Sequence, residues 1–355
     1  MQTSNPSNLQ NIAHYLIYKN HLSFLFNKLK QNDLPFLVLK GWSFIPDLYP
    51  DPSLRPFSDI DILIHPADYH TVTTCMAELG YSVRVLVRAG SKPAPSGSKP
   101  AHPHIPLEIT FSHPAGIHID LHTHLLTLAW WQPAFPIDLD HIWHTAQPYP
   151  DSTGLQLQRL SPEVTFLHLC LHLWNHEPLN PRFHSYIDLV LLLRKYTPSM
   201  HWDHILHLAD QWGMQNILSI VTQILHRDYH TTLPIQINPK SPPTSLQYKY
   251  IHSQFSQSLK SQSSILNTQS SILNTQSSIL NTQTSNLKPQ PSILNPPPWL
   301  SSFLLRLALI DTPTILPKLL WNALFPSASL RTAIHNQPRT LLQHWGTYTH
   351  RLLKS

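Results

Sequence analysis

Residues 35–65 read PFLVLKGWSFIPDLYPDPSLRPFSDIDILIH, and this segment sets the architecture of the N-terminal part of the chain. Its first seven residues, 35–41, form an apolar run that ends in glycine, which predicts a buried strand that enters a turn. Its last seven, 59–65, alternate between polar and apolar side chains, as in a strand with one buried face. A loop with prolines at 46, 50, 52 and 56 joins the two. The segment therefore predicts two strands with a long connection between them.

Two carboxylates lie two residues apart in the second strand. Because alternate side chains of a strand share a face, Asp59 and Asp61 point to one side and the isoleucines of the strand point to the other. Like charges this close repel each other, and a divalent cation such as Mg²⁺, which prefers oxygen ligands, relieves the repulsion. The alternative is that the pair decorates a solvated sheet edge, since a DxD pattern alone is weakly specific.

A third carboxylate is available on a later strand. The segments LEITF (107–111) and GIHIDLH (116–122) alternate on either side of a short polar turn, so they predict a hairpin. In the second segment Asp120 and the two histidines beside it share the face away from the core. If this strand lies near the first one, Asp120 joins the acidic pair, and three carboxylates can hold two metal ions for phosphoryl transfer.

Basic residues and a glycine precede the acidic pair. Gly41 ends the first strand and lets the backbone approach an anion closely. Lys40 and Arg55 carry the positive charge that a triphosphate requires during phosphoryl transfer. The alternative is a solvated Lys40 and an Arg55 that pairs with Asp47 or Asp51.

The rest of the chain is mainly helical by its periodicity. Residues 10–30 predict a leading helix. Residues 67–79 predict a second helix, which Gly80 ends, and residues 81–87 predict a strand. After residue 160 the spacing of apolar residues predicts four more helices, at 162–177, 183–196, 201–212 and 214–228. Strands followed by helices in this way predict an α+β fold.

Composition divides the chain further. Residues 234–299 contain no Asp or Glu, and the heptapeptide QSSILNT occurs there three times in tandem, at 262–268, 269–275 and 276–282. Each repeat offers only an adjacent Ile-Leu pair and no coiled-coil seam, so we interpret the segment as a low-complexity insertion. We therefore expect a core domain at 1–150, a helical region at 151–233, the insertion at 234–298 and C-terminal helices at 299–355.

Composition argues against a membrane protein and a disulfide scaffold, and it gives no argument for nucleic-acid binding, which stays possible. The 355 residues carry a net charge of +5 with only 12% charged residues, and no cluster of Lys and Arg indicates a nucleic-acid surface. No apolar run reaches the roughly 18 to 20 residues that span a bilayer, and the first residues do not resemble a secretory signal, so we expect no membrane association. Cys75 and Cys170 form no CxxC motif and suit the reducing cytoplasm.

Several segments together resemble one protein family. The string LVLKGWSFIPDLYPDPSLRPFSDIDILIHPADYHTVTTCMAELGY (37–81) is similar to the opening of the uncharacterised nucleotidyltransferase family, within the DNA polymerase β-like superfamily. HIDLHTHL (118–125) is similar to the acidic-Leu-His strand of that family. The helical segments LSPEVTFLHLCLHLWNH (160–176) and YIDLVLLLRKY (186–196) resemble its downstream helices.

The resemblance implies a fold, a reaction and a set of site residues. The fold is a small mixed β-sheet with flanking helices, followed by a helical C-terminal region. The reaction is transfer of a nucleotidyl group from a nucleoside triphosphate, such as ATP, to an acceptor, with Mg²⁺ or Mn²⁺ as cofactor and pyrophosphate released. Its candidate catalytic and metal-binding residues are Asp59, Asp61 and Asp120, and its candidate nucleotide-binding residues are Lys40, Gly41, Arg55 and Ser58. The chain departs from the superfamily pattern at Trp42, where many members have a second small residue.

Two other functions fit parts of the sequence. A degenerate transferase would bind a nucleotide or a partner protein without turnover. The segment DLHTH (120–124) is also similar to the opening of metal-dependent phosphoesterases, in which His122 and His124 would bind zinc or manganese. The acceptor of a transferase, whether a small molecule, a protein side chain or an RNA end, cannot be read from these residues, nor can the oligomeric state.

Overall fold

The structure, a computed structural model, describes residues 6–45, 47–84, 105–127, 129–150, 154–176, 183–235, 237, 306–307, 309–325 and 340–343. The chain divides into two compact units. The sheet unit comprises Met1–Gln132, Asp138–Ser161 and Leu319–Lys354, and the helical unit comprises Pro133–Ile137, Pro162–Lys318 and Ser355.

The sheet unit is built on one mixed β-sheet. Its strands are β1 (Phe36–Val38), β2 (Ile60–Ile64), β3 (Ser82–Val83), β4 (Glu108–Ser112), β5 (His118–His122), β6 (Gln147–Pro150) and β7 (Gln156–Arg159). Their order across the sheet is β3-β4-β5-β2-β1-β7-β6. The pairs β2–β5 and β1–β7 are parallel and the other neighbours are antiparallel.

Helices and short 3₁₀ turns surround this sheet. The α-helices are α1 (Pro6–Gln31), α2 (Tyr69–Glu78) and α3 (Leu139–His144). The 3₁₀ turns include Gly41–Phe44, Pro52–Leu54 and Pro66–Asp68. Helix α1 packs against α2 and against the turn Pro52–Leu54.

One face of the central strands is apolar and buried. In β2 the side chains of Ile60, Ile62 and Ile64 are at most 1% exposed, and Ile119 and Leu121 of the neighbouring β5 are equally buried. Burial of such side chains stabilises the fold by about 1.5 to 3 kcal/mol each. The opposite face of the same strands is therefore left to the polar residues that alternate with them.

The helical unit contains α4 (Pro162–His176), α5 (Phe183–Tyr196), α6 (Trp202–Gln211) and α7 (Gln215–Tyr229). Helix α4 packs against each of the other three. Further along the chain, a 3₁₀ turn at Pro313–Ile315 leads into α8 (Leu316–Leu324).

The α+β fold predicted from the sequence is confirmed. The leading helix, the two strands of the opening segment, the 107–122 hairpin and the four helices after residue 160 are found within a few residues of their predicted bounds. The prediction omitted α3, β6 and β7, so the sheet continues to Arg159. Of the strand predicted at 81–87, Ser82–Val83 is observed, and residues 85–87 lie outside the described residues, as do most of the insertion and much of 299–355.

Within the described ranges, no helix is long and apolar enough to cross a membrane. Both Cys75 and Cys170 are buried free thiols. The cytoplasmic location and the boundaries at 150 and 233 stay predictions.

Candidate active site

The parallel pairing of β2 with β5 sets two of the predicted carboxylates side by side. Asp61 of β2 is the register partner of Asp120 of β5. On the other side of β5, Thr110 of β4 lies opposite Asp120, and Glu108 lies opposite His122. Because register partners on neighbouring strands point to the same face, these side chains form one polar patch across three strands.

Asp61 is the centre of a buried ionic network. Its Oδ1 accepts a hydrogen bond from the Lys40 ammonium at 2.5 Å and another from Nε2 of His122 at 3.0 Å. Burial would raise the pKa of Asp61, but the charge of Lys40 and the hydrogen bond from His122 outweigh it and hold the pKa well below its usual value. Burial opposes the charged forms of Lys40 and His122 as well, but the Asp61 carboxylate raises the pKa of both. The contacts with Asp61 therefore favour the charged forms of Lys40 and His122, and these two groups favour the charged form of Asp61.

Asp120 has a different environment from its register partner. Burial is the main cause that raises its pKa, with a hydrogen bond from Thr110 acting in the opposite direction. Its Oδ1 atom is buried and has no hydrogen-bond partner. The neighbouring Glu108 also has a raised pKa, chiefly because it is buried. Asp120 is thus a more basic carboxylate than Asp61 and has a free acceptor atom.

Asp59 directly precedes β2, and a tyrosine of α1 fixes the backbone beside it. The hydroxyl of Tyr18 donates to the carbonyl of Ser58 at 2.8 Å and accepts from the backbone N–H of His118 at 3.0 Å. Tyr18 is 1% exposed. Helix α1 therefore ties together the starts of the two parallel strands that carry Asp59, Asp61 and Asp120.

Lys40 lies between β1 and the 3₁₀ turn that begins at Gly41. The N–H of Leu39 donates to the carbonyl of Asp61 at 3.0 Å, which extends the pairing of the two strands to this point. Gly41 has a φ of +70°, a backbone conformation that favours glycine. Trp42, where the sequence differs from the superfamily pattern, is part of the core. Its ring is fully buried and stacks on Tyr15 at a centroid distance of 5.1 Å.

Arg55 lies at the end of the turn Pro52–Leu54 and donates to the carbonyl of Pro56 at 2.7 Å. It lines a cavity of about 240 Å³ together with Gln10, Asn11, His14, Pro56 and Phe57. The two aspartates considered as alternative partners of Arg55 also contact other groups. Asp47 accepts from Arg159 at 2.7 Å, and Asp51 accepts from the N–H of Ser53 at 2.9 Å.

A comparison with protein families assigns the part of the chain that contains this patch to one family. The family described as "Uncharacterised nucleotidyltransferase" matches residues 5–229, more than half of the chain. The chain belongs to this family. A search among curated proteins found no significant sequence match.

Two solved structures are similar to this chain. The antibiotic-resistance factor ANT(2'')-Ia is 11% identical, with 61% of this chain and 99% of that chain covered and a TM-score of 0.37. An antigenic nucleotidyltransferase-like protein from Paracoccidioides brasiliensis is 15% identical, with 54% and 87% covered and a TM-score of 0.33.

Nucleotidyltransferases commonly use a divalent metal ion, and the donor atoms of the patch suit one. Carboxylate oxygens are the ligands that Mg²⁺ prefers, and the buried Oδ1 of Asp120 has no hydrogen-bond partner. Among the described residues, however, no three His, Cys, Asp or Glu side chains are arranged as a metal-binding group. Oδ1 of Asp61 is occupied by Lys40 and His122. The ligand chemistry fits, and the geometry requires a rearrangement at Asp61.

The geometry of the DLHTH segment does not support a phosphoesterase. His122 is bound to Asp61, and Nδ1 of His124 accepts from the N–H of Leu126 at 3.0 Å. Burial lowers the pKa of His124 to about 4, so its imidazole is neutral. Each histidine has a partner within the fold, and they do not form a shared metal site in the described part of the chain.

Sequence reasoning missed part of this patch. Glu108 and Thr110 were not predicted, and His122 was assigned to the phosphoesterase alternative only. The sequence does contain an alternating pattern for Glu108 and Thr110, because they alternate with apolar residues along β4 as the acidic pair does along β2. The sequence does not give the strand register that places Thr110 opposite Asp120.

Proposed function

We propose that the chain transfers a nucleotidyl group from a nucleoside triphosphate to an acceptor, with Mg²⁺ or Mn²⁺ bound at Asp59, Asp61 and Asp120. The observation that carries this proposal is the parallel register of β2 and β5, which brings Asp61 next to Asp120 in a member of a nucleotidyltransferase family. Two adjacent carboxylates on neighbouring strands of one sheet supply the oxygen ligands through which a divalent cation acts in phosphoryl transfer.

The proposed reaction is an in-line displacement at the α-phosphorus. An oxygen of the acceptor's hydroxyl group attacks, a new P–O bond forms, and the bond from the α-phosphorus to its bridging oxygen breaks. Pyrophosphate leaves with the bonding electron pair. A bound divalent cation supplies neutralisation of the charge on the phosphates. The hydroxyl proton passes to a carboxylate, and we propose Asp120 for this role.

The residues before the acidic pair are proposed to bind the nucleotide. Gly41 leaves room for an anion, since a side-chain carbon built there would meet no atom within 4 Å. Lys40 is within reach of the carboxylates and carries a positive charge. Arg55 and Ser58 lie on the segment that leads directly into Asp59. Together they would orient the triphosphate while the carboxylates face its α-phosphorus.

The experiment follows transfer of label from α-³²P nucleoside triphosphates to three pools of acceptors: small molecules, proteins and RNA. Pyrophosphate release is measured in parallel. We expect Asp61→Asn and Asp120→Asn each to lower the transfer rate by about 10²-fold or more, as loss of a charge-stabilising group does in other enzymes. Asp33→Asn is the matched control, because Asp33 is an exposed carboxylate with a φ of +53° that asparagine tolerates.

Full activity in the Asp61→Asn/Asp120→Asn double variant would remove the proposed site. Transfer that persists without any divalent cation, in the presence of a chelator, would remove the metal from the proposal while leaving the carboxylates in place.

A second function has an observation in its favour. Asp61 is already neutralised by Lys40 and His122, which is the arrangement expected of a degenerate transferase that binds a nucleotide or a partner without turnover. This alternative predicts saturable nucleotide binding by calorimetry together with no label transfer to any of the three acceptor pools. Label transfer that depends on Asp61 and Asp120 decides against it.

A further inference from the structure

The backbone on either side of Lys40 holds this residue next to Asp61. On one side, the N–H of Leu39 donates a hydrogen bond to the carbonyl of Asp61, and on the other, Gly41 has a left-handed backbone conformation. The side chain of Lys40 is 17% exposed and that of Asp61 is 6% exposed. An exposed ion pair contributes little to stability, but a buried one is costly to break because it leaves an uncompensated charge.

The same oxygen of Asp61 is the atom that a metal ion would need. Oδ1 already accepts two hydrogen bonds, from Lys40 and from His122. The Lys40 ammonium group lies 2.5 Å from this oxygen and takes the position of a metal ion. Its positive charge would repel a divalent ion that approached the same atom. Asp120, by contrast, keeps a buried oxygen without a partner. Donor atoms are therefore present, and of the two groups that occupy Oδ1 of Asp61, Lys40 lies nearer than His122.

We propose that Lys40 is an internal counter-ion of this site, which competes with the divalent cation for Asp61. The proposal rests on the proposed function, because it takes Asp61 as a metal ligand. In the nucleotide-free protein Lys40 holds Asp61 and metal binds weakly. A triphosphate supplies oxygens that accept the ammonium group, so Lys40 moves to the phosphates and releases Asp61 to the cation. Metal and nucleotide consequently strengthen each other's binding, and metal alone binds weakly and displaces Lys40 only at high concentration.

The main test measures Mn²⁺ binding to the full chain without nucleotide, by the electron paramagnetic resonance signal of free Mn²⁺. We expect Lys40→Met to bind Mn²⁺ about tenfold more tightly than the wild type, because it removes a positive charge next to Asp61. Lys40→Arg keeps the charge and should bind as weakly as the wild type. Lys28→Met is the matched control, because Lys28 pairs with Glu78 at the surface. Adding Asp120→Asn to Lys40→Met should abolish the gain.

A second measurement uses the wild type alone and so does not depend on the folding of a variant. The Lys40 amine is labelled with an amine-reactive reagent, and the labelled fraction of its peptide is measured by mass spectrometry as Mn²⁺ is added. Displacement from Asp61 exposes the amine, so labelling of Lys40 should increase severalfold with rising Mn²⁺ while labelling of Lys28 stays constant.

The outcomes separate this proposal from the proposed function. Equal Mn²⁺ affinity in the wild type and a folded Lys40→Met, with Lys40 labelling that does not respond to Mn²⁺, overturns the competition even if label transfer is observed. Lys40 is then a phosphate ligand only. Tighter Mn²⁺ binding by Lys40→Met in a protein that transfers no label to any acceptor supports the competition and rejects the transferase.

Discussion

His124 shows how one buried side chain can make stability depend on pH. It is 7% exposed, and burial lowers its pKa from about 6.5 to about 4. At pH values well above 6.5 both the folded and the unfolded chain hold a neutral imidazole, so the group has no effect on stability. As pH falls from 6.5 towards 4, the unfolded chain takes up a proton that the folded chain does not, so the free energy of unfolding decreases.

We expect this term to reach about 2 to 3 kcal/mol between pH 7 and pH 4.5. His124→Asn removes the titrating group and keeps an acceptor for the N–H of Leu126. Urea unfolding at a series of pH values should therefore show a shallower loss of stability in the variant than in the wild type. Parallel curves for the two proteins would show that another group carries the pH dependence.

Tyr18 gives a second prediction for a single side chain. Tyr18→Phe removes the hydroxyl that joins Ser58 to His118 and leaves the partly buried N–H of His118 without its acceptor. We expect a loss of about 1 to 3 kcal/mol in the free energy of unfolding, measured by urea denaturation.

Tyr81→Phe is the matched control, because the buried hydroxyl of Tyr81 has no hydrogen-bond partner. Its removal should leave stability unchanged or slightly higher. An equal loss in both variants would mean that the two bonds of Tyr18 contribute nothing of their own.

Of the candidate site, the sequence predicted only those positions that follow from a local pattern of polar and apolar residues. The period of two along β2 and β5 was enough to put Asp61 and Asp120 on polar faces. The contacts of Asp61 join residues 21 and 61 positions apart, and no local pattern encodes such distances. Lys40 was therefore predicted as a phosphate ligand, and its bond to Asp61 emerged only from the fold.

At the scale of whole elements, the prediction failed where strands carry little apolar signal. β6 reads QPYP and β7 reads QLQR, and in β7 only Leu157 is buried. β6 lies at the edge of the sheet, where proline is tolerated because one side of the strand needs no hydrogen-bond donors. β7 is held in the sheet by its pairing with β1, and no pattern in the sequence indicates that these two strands pair.

Gly213 gives a prediction for the junction between α6 and α7. Its φ is +67°, and a side-chain carbon there would lie 2.6 Å from the carbonyl oxygen of Ala134. Gly213→Ala should therefore cost a left-handed backbone penalty of about 1 to 2 kcal/mol together with the displacement of backbone at Ala134. Thermal unfolding should show a clear decrease in Tm.

Gly116→Ala separates these two costs. Gly116 has a φ of +82°, and a carbon built on it meets no atom within 4 Å. It should therefore suffer the backbone penalty alone and lose less stability than Gly213→Ala. A loss of the same size in both variants would show that the close approach to Ala134 is relieved without cost.

At the scale of the whole molecule, the chain returns to the helical unit after the low-complexity segment. Arg306 donates to the carbonyls of Trp174 and Asn175 at the end of α4. Asp311 accepts from the N–H groups of Gln215 and Asn216, at 2.7 and 2.8 Å, at the start of α7. Residues far apart in sequence thus satisfy the unpaired backbone groups at two helix ends. Residues on both sides of the predicted insertion therefore contribute to the helical unit.

The strength of this connection can be measured at Asp311, which is 5% exposed. Asp311→Ala removes both acceptors from the first turn of α7 and should cost about 1 to 2 kcal/mol in the free energy of unfolding. Asp311→Asn keeps one carbonyl oxygen and should cost less, because one of the two N–H groups retains an acceptor. Deletion of the repeats at 262–282 should leave Tm unchanged, since segments of this composition bury too little apolar surface to add stability. A deletion that destabilises the protein as much as Asp311→Ala would show that the repeats are part of the packed helical unit.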